Sequence, residues 1–431
     1  MGQTVIKNAQ VFDGIEMIGV RFVELNDGQI TKVTTNECEI AYDEETIIVD
    51  GQGMTLLPGL FDTHVHTSAD SLRDALKFGV TTELEMQGGL TKRGRDVQLK
   101  GQTGLADVFS AGMALTAEGG HPDELVPKGD GIPDFILKKM AAMSEAERTA
   151  FIEAHQKADH HGQKLILDSP ENAVRYVDQQ IKAGADYIKV MIEDGRLLAA
   201  PGLPILSDVI LRAGIDEAHC QGKLVLAHIT EARAAKKAVE LGVDGLAHGF
   251  IDRPEWIAEL VAMIKENHVF VIPTLVLSGS ITGNISAKIA QDPRVVSKLS
   301  DEWLRTLRAS FNTAPEVAFQ DALDNVRDLH QAGVPLLVGT DVSVPQPSLG
   351  GLAHGASVHH ELQLLTDAGL TKVEALNAAT ALPAEIFGLK DRGYIQVGRK
   401  ADVILVQGDP TNDITATLDL VTVWKDGQRQ Y

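Results

Sequence analysis

Short apolar runs at the two ends of the chain differ in spacing from the longer pattern between them. Near the start, Thr4–Ile6, Gly19–Leu25, Ile30–Thr34 and Thr46–Val49 read as short strands. Asn26-Asp27-Gly28 predicts a tight hairpin turn, because Asp-Gly supplies the positive φ angles such a turn needs. Near the end, Ala401–Val406 is an apolar strand, and Leu420–Trp424 alternates before the turn Lys425-Asp426-Gly427. Two β-rich ends flanking a long middle predict one small sheet domain built from both termini.

The middle alternates β-branched runs with helical patterns, the signature of repeated βα units and a parallel sheet. Eight candidate strands lie around Leu57–His66, Val80–Glu85, Asp107–Ala114, Tyr187–Met191, Leu224–His228, Gly245–His248, Val269–Leu275 and Leu336–Asp341. Helical stretches such as Ser71–Lys77, Asn172–Ala183, Ala232–Leu241 and Glu255–Glu266 separate them, and further helices are expected through Val296–Leu329. This count fits a closed (β/α)8 TIM barrel over residues 57–391. A doubly wound open sheet would give the same alternation. A polar insertion at about 115–170 is long enough to be a functional cover.

Composition narrows the classes. The formal charge is −21, from 39 basic and 60 acidic residues, so nucleic acid and anionic lipid surfaces are not expected partners. No apolar run is long enough to span a bilayer. Cys38 and Cys220 stand far apart, which excludes a disulfide framework and a cysteine-based zinc cluster. The start lacks a basic segment followed by an apolar one, so a cytoplasmic protein is expected. No Gly-x-Gly-x-x-Gly or Gly-Lys-Ser/Thr motif occurs, and no nucleotide cofactor is expected.

The chemistry concentrates at strand ends. Asp62-Thr-His64-Val-His66 closes the first barrel strand, and side-chain alternation puts His64 and His66 on one face. His228 closes the fifth strand, His248 the sixth and Asp341 the eighth. In a (β/α)8 barrel these ends share one rim, which carries the active site. Nitrogen and carboxylate donors without thiolate suit zinc, manganese, iron or nickel. Lys189 stands within the apolar fourth strand, where burial lowers an amine's pKa. A neutral amine there can take up carbon dioxide as a carbamate that bridges two metals; a salt bridge to Asp194, Glu193 or a barrel-rim acid is the alternative.

His64-x-His66, Lys189, His228, His248 and Asp341, in this order, closely resemble the metal-dependent amidohydrolase superfamily of the binuclear, carbamylated-lysine type. The flanking stretches Leu57–His66, Gly393–Val403 and Gly408-Asp-Pro410 resemble that family's opening and closing motifs. Val243-Asp-Gly-Leu-Ala-His-Gly249, His354-Gly and Glu361-Leu-Gln-Leu-Leu are similar to its imidazolonepropionase-like and Xaa-Pro-dipeptidase-like branch. The resemblance implies a β-sandwich of residues 1–56 and 392–431 beside the barrel. It also implies two divalent metals per chain, with zinc the first expectation. His64, His66 and Asp341 would hold one and His228 and His248 the other, with carbamylated Lys189 between them. A metal-bridging hydroxide would attack an amide-type bond of a small molecule (an N-acyl amino acid, dipeptide or lactam), with Asp341 as general base and then acid.

His121, in Thr116-Ala-Glu-Gly-Gly-His121, resembles a position where this branch contacts substrate. Members are often homo-oligomers, so self-association is also expected. The chain departs from the branch at His228-Ile-Thr-Glu231, where relatives often have His-Ala-Tyr. That His-x-x-Glu pattern leaves a second reading, a mononuclear deaminase or cyclic-amidine hydrolase using Glu231 for proton transfer. His155, His160 and His161 are expected to be solvated. His359 and His360 are expected to precede a helix, at the surface or behind the site.

Overall fold

A computed structural model describes residues 2–125, 165–284 and 287–430. His155, His160, His161 and most of the insertion lie outside these residues. The chain opens with β1 (Thr4–Phe12), β2 (Met17–Asn26), β3 (Gln29–Thr34), β4 (Ile47–Asp50) and β5 (Met54–Pro58). Short strands interspersed with helices follow: β6 (Leu60–Val65), β7 (Val80–Glu85), β8 (Asp107–Ser110), β9 (Ile188–Met191), β10 (Val225–His228), β11 (Gly245–Leu246) and β12 (Phe270–Val271). The last three are β13 (Val403–Gln407), β14 (Leu420–Lys425) and β15 (Gln428–Arg429). The fold is α/β.

Strands from both ends share one sheet, in the order β15-β14-β13-β5-β1-β2-β3, with β4 beside β1. Its far edge turns back on itself: Ile30 N donates to Arg399 O at 2.8 Å and Ala401 N to Gly28 O at 2.8 Å. Ile6, Val23, Leu25, Leu56, Leu405 and Trp424 fill the interior this creates. Ion pairs tie the closing strands to the middle of the chain. Asp107, at the start of β8, receives Arg392 at 2.6 Å, Lys400 at 2.9 Å and Lys425 at 3.2 Å. Burial by itself would raise the Asp107 pKa, but these three cations hold it well below the usual carboxylate range.

In the middle, β6-β7-β8 form one parallel sheet and β9-β10-β11-β12 another. Isolated parallel bridges link Leu115 to Val190, Val271 to Leu336 and Val65 to Val342. Side-chain alternation stacks Lys189 two positions beyond Tyr187, and His228 two beyond Leu226. Tyr187 and Leu226 pack in one apolar cluster with Leu84, Phe270, Ile272 and Leu337. The helices lie against a larger apolar core. Ala232–Leu241 buries Ala235, Ala238, Val239 and Leu241 on one stripe and stops at Gly242, whose φ of 92° is the left-handed conformation that ends helices.

The expected strands Asp107–Ala114 and Gly245–His248 end early, at Ser110 and Leu246, and three other elements change more. Leu57–His66 is not one strand: Gly59 N donates to Asp402 O at 2.8 Å, whereas Leu60 N donates to Gly79 O at 2.9 Å. The chain therefore changes sheets at Gly59, and the terminal sheet extends to Pro58. Val269–Leu275 contains only two strand residues and gives way to the helix Leu275–Ile281. Leu336–Asp341 is joined to its neighbours by the isolated bridges rather than by a continuous ladder.

Gly59 has a further reason to be glycine. A Cβ there would stand 2.2 Å from Thr81 Oγ1 and 2.3 Å from its methyl group, and Thr81 is buried in β7. Gly59→Ala is therefore expected to destabilise the protein by about 1–3 kcal/mol, the usual range for forcing a methyl into packed structure. Urea unfolding checks this; an unchanged midpoint would show that Thr81 can move aside.

Candidate metal centre and active site

His64 and His66 leave the end of β6 on one face, and the backbone beside them fixes Asp341 opposite. Asp341 N donates to His64 O at 2.7 Å. Its φ of 62° is left-handed, a conformation that Asp adopts more readily than most residues. Asp341 Oδ1 lies 3.0 Å from His64 Nε2 and 3.1 Å from His66 Nε2. One donor atom from each of these three residues falls within 4.8 Å of the others, close enough to hold a metal ion.

Lys189 is 1% exposed in β9, with Nζ 3.1 Å from His64 Nε2. Of the acids considered as partners, Glu193 and Asp194 are engaged elsewhere, and the rim acid Asp341 is the one whose charge acts on Lys189. Asp194 pairs with Arg196 and Arg233, while Glu193 accepts from Gly195 N and Thr230 Oγ1. Burial lowers the Lys189 amine to about 8. It also lowers the His64 imidazole, beside Lys189, to about 3. Burial raises the Asp341 carboxyl, but the adjoining His64 and the contacts from both histidines hold it well below the usual range.

His228 and His248 complete the cluster. Ring centroids are 4.4 Å apart for His64 and His248 and 4.6 Å for His228 and His248. Burial holds both His228 and His248 well below the ordinary imidazole pKa, so their rings are neutral. Among the described residues, their buried Nε2 atoms have no hydrogen-bond partner. The 3.5 Å approach of Glu193 Oε2 to His228 Nε2 is proximity only. On the other side of two rings, protein acceptors set the orientation: His66 Nδ1 meets Gln87 O at 2.9 Å, and His248 Nδ1 meets Thr274 Oγ1 at 2.9 Å. Metal-binding histidines are commonly held this way.

The donor set fits a cation better than it fits itself. A neutral imidazole nitrogen carries either a proton or a lone pair, so His64 Nε2 cannot donate to Asp341 and accept from Lys189 at once. With the bare Nε2 atoms of His228 and His248, this leaves buried lone pairs lacking a partner, an arrangement that normally costs free energy.

The sequence profile of the amidohydrolase family matches residues 55–429. The chain belongs to the amidohydrolase family. It is an enzyme, a hydrolase of that family. The ochratoxinase of Aspergillus niger is 26% identical over 407 residues, covering 86% of this chain and 75% of the relative. Among solved structures, a Xaa-Pro dipeptidase with bound methionine superposes with a TM-score of 0.72 at 22% identity, covering 99% of both chains. Phenylurea hydrolase B gives 0.73 at 20% identity, covering 99% of this chain and 96% of its own. These superpositions show a shared fold. No described helix of this amidohydrolase is long and apolar enough to cross a membrane.

The other candidate residues of this amidohydrolase lie beside the cluster or apart from it. His121 is buried with its ring centroid 4.2 Å from that of His228, and its Nδ1 lies 2.5 Å from Glu124 Oε1. Glu231 caps no helix through its side chain; its carboxylate pairs with Arg196 at 2.9 Å. His359 and His360 lie within the helix Ala356–Asp367 rather than before it. His359 is buried, meeting Thr417 Oγ1 and Phe78 O at 2.9 Å each, so it joins elements away from the metal-compatible cluster.

Several supporting residues were not identifiable from local pattern. Asp62 accepts from Thr340 N at 3.0 Å and His64 N at 3.3 Å and meets Thr340 Oγ1 at 2.6 Å, fixing the segments that carry His64 and Asp341. Burial, with Glu83 nearby, raises the Asp62 carboxyl to about 8. Its place two residues before His64, on the same strand face, was the available signal. His354 meets Glu83 Oε1 and Ser343 O at 3.0 Å each; two acceptors require both ring nitrogens to carry protons.

Burial opposes that charge, but Glu83 raises the His354 pKa above its ordinary 6.5. The pair's stabilisation is therefore complete below about pH 6.5 and is lost as pH rises through the raised folded value. His354→Gln should destabilise the protein more at about pH 6 than at about pH 9 in urea unfolding. A pH-independent difference would contradict the charged pair.

Proposed function

We propose that the protein is a binuclear, metal-dependent amidohydrolase that cleaves an amide-type bond in a small molecule such as an N-acyl amino acid, a dipeptide or a lactam. The observation that carries this reading is the buried Lys189 amine, set against His64 beside the unpartnered Nε2 atoms of His228 and His248. Relatives named as a dipeptidase and a phenylurea hydrolase support a carbon–nitrogen bond as the target. In this reading the chain from Gly59 to about residue 391 forms a (β/α)8 barrel, supported by the three bridges that join the parallel sheets to each other and to Leu336–Val342. The chain up to Pro58 and residues 392–431 form the accompanying β-sandwich, supported by their shared sheet.

His64, His66 and Asp341 would hold one divalent ion and His228 and His248 a second, with zinc compatible with the nitrogen and oxygen donors. Lys189 would serve both as a carbamate: its neutral nitrogen would add to the carbon of carbon dioxide, an N–C bond forming as one C=O π bond opens onto oxygen, and the proton lost from nitrogen would pass to solvent, leaving a carboxylate-like anion. An amine with a pKa of about 8 supplies the neutral form at accessible pH. Two ions held by these residues would supply the Lewis acidity that makes water nucleophilic near neutral pH. Asp341, ionised in the folded protein, takes the proton released as the attack proceeds and passes it to the leaving nitrogen. His121, packed on His228, would meet the substrate beside the reacting carbonyl. The mononuclear alternative needs Glu231 at the reaction centre, whereas its carboxylate is engaged with Arg196.

Turnover of an amide, lactam and dipeptide panel tests this reading. Lys189→Ala should lose the second metal and most activity, with partial rescue by short carboxylic acids that replace the carbamate. Full activity with both metals retained would remove Lys189 from the bridging role. Asp341→Asn should fold normally but turn over slower by about two to four orders of magnitude, as expected for removing a general acid–base group. An intact rate would remove Asp341 from proton transfer.

A further inference from the structure

We infer that Glu361 is a positioning residue for His248, acting through the backbone that holds Thr274. This rests on the reading of His228 and His248 as a second metal position. Glu361 is fully buried in the helix Ala356–Asp367, and among the described residues no cation pairs with it. Its two carboxylate oxygens instead accept from successive backbone donors, Oε1 from Leu275 N at 2.9 Å and Oε2 from Val276 N at 2.8 Å. These are the first two N–H groups of the helix Leu275–Ile281, which have no partner within that helix.

The residue immediately before them is the unusual one. Thr274 is fully buried with φ at 46°, a left-handed conformation that β-branched residues avoid. In that conformation Thr274 Oγ1 meets His248 Nδ1 at 2.9 Å. An Nδ1–H donated to the threonine oxygen leaves the buried Nε2 lone pair, without a partner among the described residues, for a metal. Glu361 thus clamps the two residues after Thr274, the clamp keeps Thr274 left-handed, and the contact from the Thr274 hydroxyl fixes the ring orientation of His248. The first metal position does not use this chain: Asp341 is set by His64 O and Asp62 lies behind His64.

Cobalt(II) titration of the metal-stripped full chain tests this, with bound cobalt counted by equilibrium dialysis and visible absorption recording each coordination sphere. The wild type should bind two cobalt ions. Glu361→Gln and Thr274→Val should keep the first at wild-type affinity and bind the second roughly 10–100-fold more weakly, the range seen when an outer partner of a metal-binding histidine is removed. Thr274→Ser, which keeps the hydroxyl, should stay within a few-fold of wild type. If Glu361→Gln fails to fold, Thr274→Val carries the test, since it preserves both the branched shape and Glu361. Second-site affinity equal to wild type in Thr274→Val, with the wild type binding two ions, would overturn the inference and leave the two-metal reading standing. A single cobalt ion in the wild type would overturn both.

Discussion

A primary amine buried in the middle of a strand, with an imidazole nitrogen at 3.1 Å and a carboxylate beyond it, is the constraint on which this structure turns. Water would solvate Lys189 better than this site does, which is why burial brings its pKa down to about 8. A core designed only for stability would place an apolar residue there. The same few ångströms hold neutral His228 and His248 with bare Nε2 atoms and an ionised Asp341. Each feature is unfavourable alone, and together they form a donor set that a cation would satisfy. Energetic cost gathered in one place is a pointer to function.

The surrounding structure keeps these groups from relaxing. Two residues at the centre, Asp341 and Thr274, adopt left-handed backbone conformations, and each is pinned by a hydrogen bond involving a histidine of the cluster. Behind them stand buried carboxylates that bind backbone rather than cations. Asp62 joins Thr340 to His64, and Glu361 holds the start of the helix after Thr274. Farther out, the His354–Glu83 pair ties the segment before Ala356–Asp367 to β7, and three cations on Asp107 tie the terminal sheet to β8. Rigid support of this kind keeps buried donors at binding distance when hydration would otherwise pull them apart.

What the sequence disclosed follows from what is local. The strand Val80–Glu85 and the helix Ala232–Leu241 were readable to the residue, because each carries its period and its stop signal within itself. His64, His66, Lys189, His228, His248 and Asp341 were legible because each lies in or at the end of an apolar run. Their mutual approach was an inference from fold, and the structure brings them together. Features joining distant segments were hidden. The change of sheet at Gly59 depends on Asp402 and Gly79, and the burial of His359 depends on Phe78 and Thr417. Thr274 carries no local mark of its left-handed backbone, since the Glu361 that holds it lies 87 residues later in the sequence. The eighth barrel segment reads as apolar and extended, yet it meets its neighbours through isolated bridges.

The central claim is that the buried lysine exists to complete a two-metal centre. Elemental analysis of the protein purified without chelator, expressed as metal atoms per chain, tests it most directly. The account predicts a ratio near two, with His/Asp donors and the Lys189 carbamate serving both ions. A ratio near one, unchanged when the growth medium is supplemented with zinc and bicarbonate, would contradict it and return Glu231 to consideration as the proton-transfer group.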